Sequence, residues 1–243
     1  MWAGRTLSGV DRFGKWVCTG LDGWWDSPEV KGETSDRPNA DGEFDLPVYN
    51  EARLVTATGN LHATSHEQLH EAMNFFTGAM AGRFQASGHG SVQWADAKRN
   101  SGVKFTPVTD VFAQWQVRLK CVNPRKFGSA RDFVRTNGTV SVFHRGNYNA
   151  LPTVTVRGSA ANGYRLNGPG GLQYKVTRAL VSGIPHRIEF TDGRLRVNGT
   201  VVATGADSAD VWPVPPGQSV DFDINVLSGG TAEATITVTD TYI

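Results

Sequence analysis

The stretch VFAQWQVRLKC, Val111 to Cys121, alternates strictly. Val111, Ala113, Trp115, Val117, Leu119 and Cys121 occupy one face, and Phe112, Gln114, Gln116, Arg118 and Lys120 the other. A period of two held over eleven residues specifies a long strand with one face on a core. Asn123 and Pro124 then break the pattern, so the strand closes a first domain.

Working upstream, the period changes. Leu69, Met73, Phe76 and Met80 recur at spacings of four, three and four, which makes one apolar stripe on a helix. Ser65 with Gln68 three residues on reads as a capping box, and Gly82 stands where a left-handed residue would end the last turn. The predicted helix therefore covers about 65–82 and is the single long helix of the chain. Before it, residues 31–45 (KGETSDRPNADGEFD) are polar and rich in breakers, which implies an exposed loop or long hairpin. Residues 1–30 alternate short apolar runs with Gly and Asp, as strands joined by tight turns do.

Downstream, beyond a polar connection at 125–138, the helical period is gone. Ile188 and Phe190, Asp192-Gly193, Leu195 and Val197, Asn198-Gly199 and Val201 spell two successive hairpins. Val220, Phe222, Ile224 and Val226 alternate with Asp221, Asp223 and Asn225, and Ile236 and Val238 alternate with threonines. The fold class expected is mainly β: an N-terminal β-barrel-like domain with one α-helix over residues 1–135, then a β-sandwich of jelly-roll or lectin-like topology over 136–243.

Composition agrees with many short strands, since 28 Gly and 11 Pro supply the turns. With 24 Lys and Arg against 23 Asp and Glu there is no global field to hold a polyanion or an acidic membrane, and nucleic-acid binding as the main activity is disfavoured. The charge is unevenly placed. Asp22, Asp26, Glu29, Glu33, Asp36, Asp41, Glu43, Asp45 and Glu51 are offset only by Lys31 and Arg37, so 22–51 carries minus seven and the remainder plus eight. The plain reading is a solvated loop; the sharper one is a surface facing the lumen of a ring, where it would repel a passing polyanion. Cys18 and Cys121 lack CxxC spacing and sit in apolar segments, so both are expected buried and reduced. No signal-like start and no apolar run of membrane-spanning length is present, which points to folding in a cytoplasm and no membrane insertion.

Several motifs carry potential chemistry. His66-Glu67-Gln68-Leu69-His70 matches HExxH, in which two imidazoles one turn apart ligate zinc and the Glu polarises a water. A third ligand is missing: Phe76 stands where a third His would be, and no Glu lies between Glu71 and Glu189. A capped surface helix is the reading adopted. Asp221 and Asp223 share a strand face and resemble a carboxylate pair or calcium site, but their alternation with apolar residues fits a solvent-facing strand. Trp24 and Trp25, if in a strand, point to opposite sides, one to the core and one toward a partner. Asn137-Gly138-Thr139 and Asn198-Gly199-Thr200 read as turns. No nucleophile, base and orienting group assemble into a catalytic set, so no catalytic, cofactor-binding or metal residue is assigned and no cofactor is expected.

Leu119 to Gly128 (LKCVNPRKFG) resembles the strand and DPR(R/K)(Y/F) turn of actinobacteriophage minor tail proteins, with Asn123 in place of Asp. His144 to Gly158 (HRGNYNALPTVTVRG) is similar to the N-x-G-N-x-x-x-P-x-x-x-x-x-G entry into their second domain, with His144 and Arg145 in place of an Asn-rich lead. The order of elements is also similar to that of siphophage distal tail proteins. The resemblance implies a non-enzymatic virion protein that forms a homo-hexameric ring at the tail tip and carries a galectin-like second domain outside it. It further implies contact with tail-tube and tail-tip or receptor-binding proteins, DNA passing only through the lumen, and assembly in the host cytoplasm. A ring-former leaves surfaces for a neighbour to complete, and the strand from Val111 and the stripe around Met73 and Met80 are candidates for that surface or for core. The alternative function is a carbohydrate-binding module on the host surface, with Tyr148, Tyr164, Tyr174, Trp212 and Tyr242 as the aromatics available to stack on sugar.

Overall fold

A computed structural model describes residues 1–243 except 33, 34, 40 and 89. It divides the chain into two compact units, Met1–Lys126 with Ile243, and Phe127–Tyr242. The first holds β1 (Gly9–Asp11), β2 (Gly14–Asp22), β3 (Val30–Lys31), β4 (Tyr49–Asn50), β5 (Arg53–Ala63), α1 (His66–Thr77), β6 (Ala81–Ala86), β7 (Gln93–Arg99), β8 (Lys104–Thr109) and β9 (Phe112–Cys121).

In this unit the strands run β1-β2-β5-β9, and the far edge of β9 is shared. β8 pairs with its first half, from Phe112 to Gln116, and β7 with Leu119 and Lys120. β6 extends β7, and residues 1–3 return to β6 through Ala3 N to Arg83 O and Gln85 N to Met1 O. The alternation read in the sequence holds on β9: Ala113, Trp115, Val117, Leu119 and Cys121 are buried. Val111 lies one residue before the strand and is exposed.

Helix α1 packs over this buried face. The Ser65 hydroxyl accepts from Gln68 N at 3.2 Å, so the N-cap forms as the sequence implied. The other end is a correction: the helix stops at Thr77 with Gly78 as cap, and Gly82 is a residue of β6. The buried stripe is Leu69, Ala72 and Phe76, while Met73 is half-buried and Met80, beyond the helix, is exposed. A helix of 12 residues is only long enough to bury three turns against the sheet. Phe76 meets Trp16 at 5.3 Å and Trp115 at 5.4 Å between ring centroids, so aromatic packing joins helix and sheet. Gly59 on β5 exists for this packing, because a Cβ there would lie 2.1 Å from Val17 O and 2.4 Å from the Trp115 ring.

The second unit holds β10 (Lys126–Thr136), β11 (Gly138–Val142), β12 (Thr153–Ser159), β13 (Tyr164–Asn167), β14 (Gln173–Val176), β15 (His186–Glu189), β16 (Arg194–Val197), β17 (Thr200–Val201), β18 (Ala206–Ala209), β19 (Val220–Val226) and β20 (Thr231–Tyr242). β10 joins this unit, with Arg131 bonded to Asp240 and Asp132 to Thr237 on β20. One sheet runs β10-β20-β12-β15-β16-β17 and the other β11-β19-β13-β14-β18. A single core unites Val154, Ile188 and Ile236 from the first with Tyr164, Tyr174 and Phe222 from the second. This is a β-sandwich whose inner faces alternate with polar outer positions.

Both hairpin signals formed. Asn198 and Gly199, at φ 49° and 81°, make the tight turn between β16 and β17, and Asp192-Gly193 ends a four-residue loop between Glu189 and Arg194. Among the described residues no helix is long and apolar enough to cross a membrane.

Candidate assembly surface

The acidic segment forms an arm on the first unit. β3 and β4 pair at its root, and Asp36 bridges Glu43 near its tip through Arg37 N to Gly42 O and Phe44 N to Ser35 O. The sequence reading of 31–45 as an exposed excursion with hairpin character thus describes the arm; Glu33, one of its nine acids, lies outside the described residues. The arm does not carry only charge. Val30, Phe44, Val48 and Tyr49 are 67, 51, 63 and 63% exposed, and Leu46, Pro47 and Tyr49 help line an open cleft of about 480 Å³. Clustered exposed apolar side chains of this kind mark an interaction site.

The root of the arm is held by buried cations. Arg53 is 1% exposed, and its Nη1 donates to the carbonyls of Gly23 at 2.8 Å, Trp24 at 3.3 Å and Asp26 at 2.6 Å, while Nε donates to Pro124 O at 3.1 Å. Lys126, 4% exposed, donates to Trp24 O at 2.9 Å. Four backbone carbonyls thus take the place of a carboxylate counter-ion. Burial, with the neighbouring Arg53 charge as a second cause, lowers the Lys126 pKa from 10.5 to about 8. Burial also raises the Cys121 thiol to about 11, so this sulfur is an inert core group. Cys18 is only half-buried, a correction to the expectation that both thiols are fully enclosed; both are free.

The clamp explains one of the quoted motifs. In the turn after β9, Asn123 Oδ1 accepts from Arg125 N at 3.1 Å, a bond that an Asp carboxylate makes equally well. Pro124 and Lys126 supply the other two links to the arm root. Trp24 and Trp25 lie in a bend rather than a strand; Trp24 is fully buried under Lys126 and Trp25 is 39% exposed. The importance of Arg53 was missed, although its parity with Val55, Ala57 and Leu61 marks it as inward-facing.

The remaining candidates resolve individually. His66 and His70 are both exposed and line a shallow cleft with Asp110, whose Oδ1 is 3.9 Å from His66 Nδ1. Among the described residues no group of three His, Cys, Asp or Glu side chains is placed to hold a metal. Asp221 accepts from Ser141, and Asp223 accepts from Thr139 at 3.2 Å, Asn167 at 3.0 Å and Asn225 at 2.6 Å. The two acids are anchors of a polar ladder across β11, β19 and β13. Of the five aromatics offered for sugar stacking, Tyr164, Tyr174 and Trp212 are core residues and present no face to a ligand, while Tyr148 and Tyr242 are half-buried.

The second quoted motif is likewise structural. A Cβ at Gly146 would meet Thr241 O at 1.8 Å, and Tyr148 N donates to that same carbonyl at 3.1 Å. His144 Nδ1 accepts from Gly146 N at 2.9 Å, which leaves Nε2–H to donate to Val214 O at 3.1 Å. Asp240 receives Arg131 through both carboxylate oxygens, at 3.1 and 2.9 Å, and Arg145 N at 2.7 Å.

A strand-rich unit with an arm and a helix, followed by a sandwich, is an arrangement with known counterparts. The Dit protein of phage SPP1, described as a paradigm of the hub adsorption apparatus in phages infecting Gram-positive bacteria, superposes with a TM-score of 0.76 over 93% of both chains at 14% identity. This is a Dit-type fold. A chain of the phage p2 baseplate in its activated conformation with strontium is similar at a TM-score of 0.50, 8% identity, over 90% of this chain and 89% of that one. No protein-family model matches the sequence, and neither does any curated protein. Identity this low with likeness over this much of both chains means that what is shared is the fold.

Proposed function

We propose that the protein is a distal tail protein of a long-tailed bacteriophage: a structural, non-enzymatic subunit that closes a homo-hexameric ring between the tail tube and the tail-tip or receptor-binding components. The observation that carries this reading is the likeness to SPP1 Dit over 93% of both chains, through both units and not one alone. The exposed apolar arm adds a physical reason, since a monomer leaves those side chains in water and an assembly offers surfaces to cover them. On this reading the virion is the site of action, assembly takes place in the host cytoplasm, and DNA meets the ring only in passing through its lumen. On this reading the two units, Met1–Lys126 and Phe127–Tyr242, divide the work between ring closure and outward attachment.

Sugar binding as the main function gains no support, because most of the aromatics it required are inside the sandwich. Native mass spectrometry together with negative-stain microscopy of the purified chain tests the proposal. Rings of six, and capture of the tail-tube and tail-tip proteins of the same phage, are expected. A chain that stays monomeric at high concentration and captures neither would overturn it.

A further inference from the structure

The outer face of the β5-β8-β9 sheet, on the side away from α1, is basic. Register aligns Lys98 with Lys120, Arg118 with Thr56, Lys104 with Gln116 and Lys15 with His62. All five bases occupy outward positions, and Gln114, Thr106, Thr58 and Asn60 fill the space between them around an open cleft of about 280 Å³. Counted over the same strands, β2 and β7 included, this face carries the five bases against two acids: Asp22, in register with Thr56 and Arg118, and Asp96, two residues before Lys98.

This places opposite charges on two parts of one unit. Residues 22–51 carry nine acids and two bases, a net of minus seven. The rest of Met1–Lys126 carries twelve bases and five acids (Asp11, Glu67, Glu71, Asp96 and Asp110), a net of plus seven. Among the described residues no salt bridge joins an acid of 22–51 to any base. Lys120 shares a cleft with Glu51 and Lys31 of its own chain, while the exposed Lys104 and Arg118 and the exposed arm acids Asp36, Glu43 and Asp45 carry opposite charges on separate parts of the unit.

We propose that the acidic arm of one copy docks on the basic β5-β8-β9 face of a second copy, with Asp36, Glu43 and Asp45 opposite Lys104, Arg118 and Lys120. Because the two patches differ, the contact is head-to-tail, the kind that closes rings. The arm's exposed Phe44, Leu46, Val48 and Tyr49 supply the apolar burial that charge pairing alone does not, since exposed ion pairs contribute little individually. Charge complementarity fixes partner orientation and register, and the Arg53 and Lys126 clamp holds the arm root in place for the docking. This inference rests on the ring reading and deepens it.

The test uses the full chain in three forms. The face set is Lys104→Glu, Arg118→Glu and Lys120→Glu; the arm set is Asp36→Lys, Glu43→Lys and Asp45→Lys; the third form combines both. All six sites are exposed or half-exposed, and circular dichroism confirms folding. Sedimentation velocity should show the assembly midpoint rising at least tenfold in either single set and returning to within threefold of wild type in the combined set. Equal assembly of all forms would overturn the docking while leaving the ring reading intact. A wild-type chain that never assembles removes both. A 30-base-pair DNA duplex is the control ligand: if the face set loses duplex binding while assembly is unchanged, the face serves a polyanion and the inference is wrong.

Discussion

Replacing Lys126 with Met separates the buried charge from everything else that titrates in alkali. The side chain is enclosed, bonded to Trp24 O and flanked by Arg53, with the Asp26 carboxylate as an opposing charge. Folding lowers its pKa from 10.5 to about 8, so between those values the unfolded chain binds a proton that the folded chain does not. Stability contributed by this residue therefore rises as pH increases from about 8 to 10.5, and below about 8 the buried ammonium opposes folding throughout. At about 1.4 kcal/mol per tenfold change in proton affinity the interval caps the effect near ~3 kcal/mol, and screening by solvent reduces it to the order of 2 kcal/mol. At pH 7 Lys126→Met is expected to be close to wild type, because losing a hydrogen bond of about 1 kcal/mol offsets relief of the desolvation cost. At pH 10 it should be the less stable protein. Urea unfolding followed by tryptophan fluorescence at pH 7, 8, 9 and 10 supplies both curves, and their difference cancels groups common to both, including Cys121. Parallel curves across that window would refute the argument.

Further outcomes follow from other sites. Gly59→Ala should cost about 3 kcal/mol, since neither Val17 O nor the Trp115 ring can retreat without disturbing the core, whereas Gly102→Ala, with nothing within 4 Å, should stay within about 0.5 kcal/mol; thermal denaturation distinguishes them. Asp240→Ala leaves Arg131 without its buried counter-ion and should lower second-unit stability by about 3–5 kcal/mol in urea melts. Burial lowers the His144 pKa below its ordinary 6.5, so the stability it contributes is present above pH 6.5 and declines as pH falls toward the folded value. Nitrogen-15 NMR should report the Nε2–H tautomer at pH 7 and titration below 6.5, and a titration at or above 6.5 would contradict the geometry.

The alternation from Ala113 to Cys121 was legible because burial on one face imposes a period of two, and the NG turn at 198–199 because few residues accept positive φ. Ser65 announced the start of the helix through a local bond, since the N-cap partner is three residues away. Its end was misread: Met80 continued the apolar period, yet the chain leaves the helix at Gly78 to pair β6 with β7, and strand pairing is a nonlocal decision. For the same reason the arm's acids were visible as a run, while the five bases that match them are scattered from Lys15 to Lys120 and share a face only through register. The sequence by itself determined the strand-rich composition, the single helix and the unequal charge, because these depend on neighbours in the chain. Tertiary structure alone decided that Arg53 and Lys126 bind the carbonyls at the arm root, that three of the aromatics are core, and that a basic sheet face exists, because each of these depends on residues brought together across tens of positions.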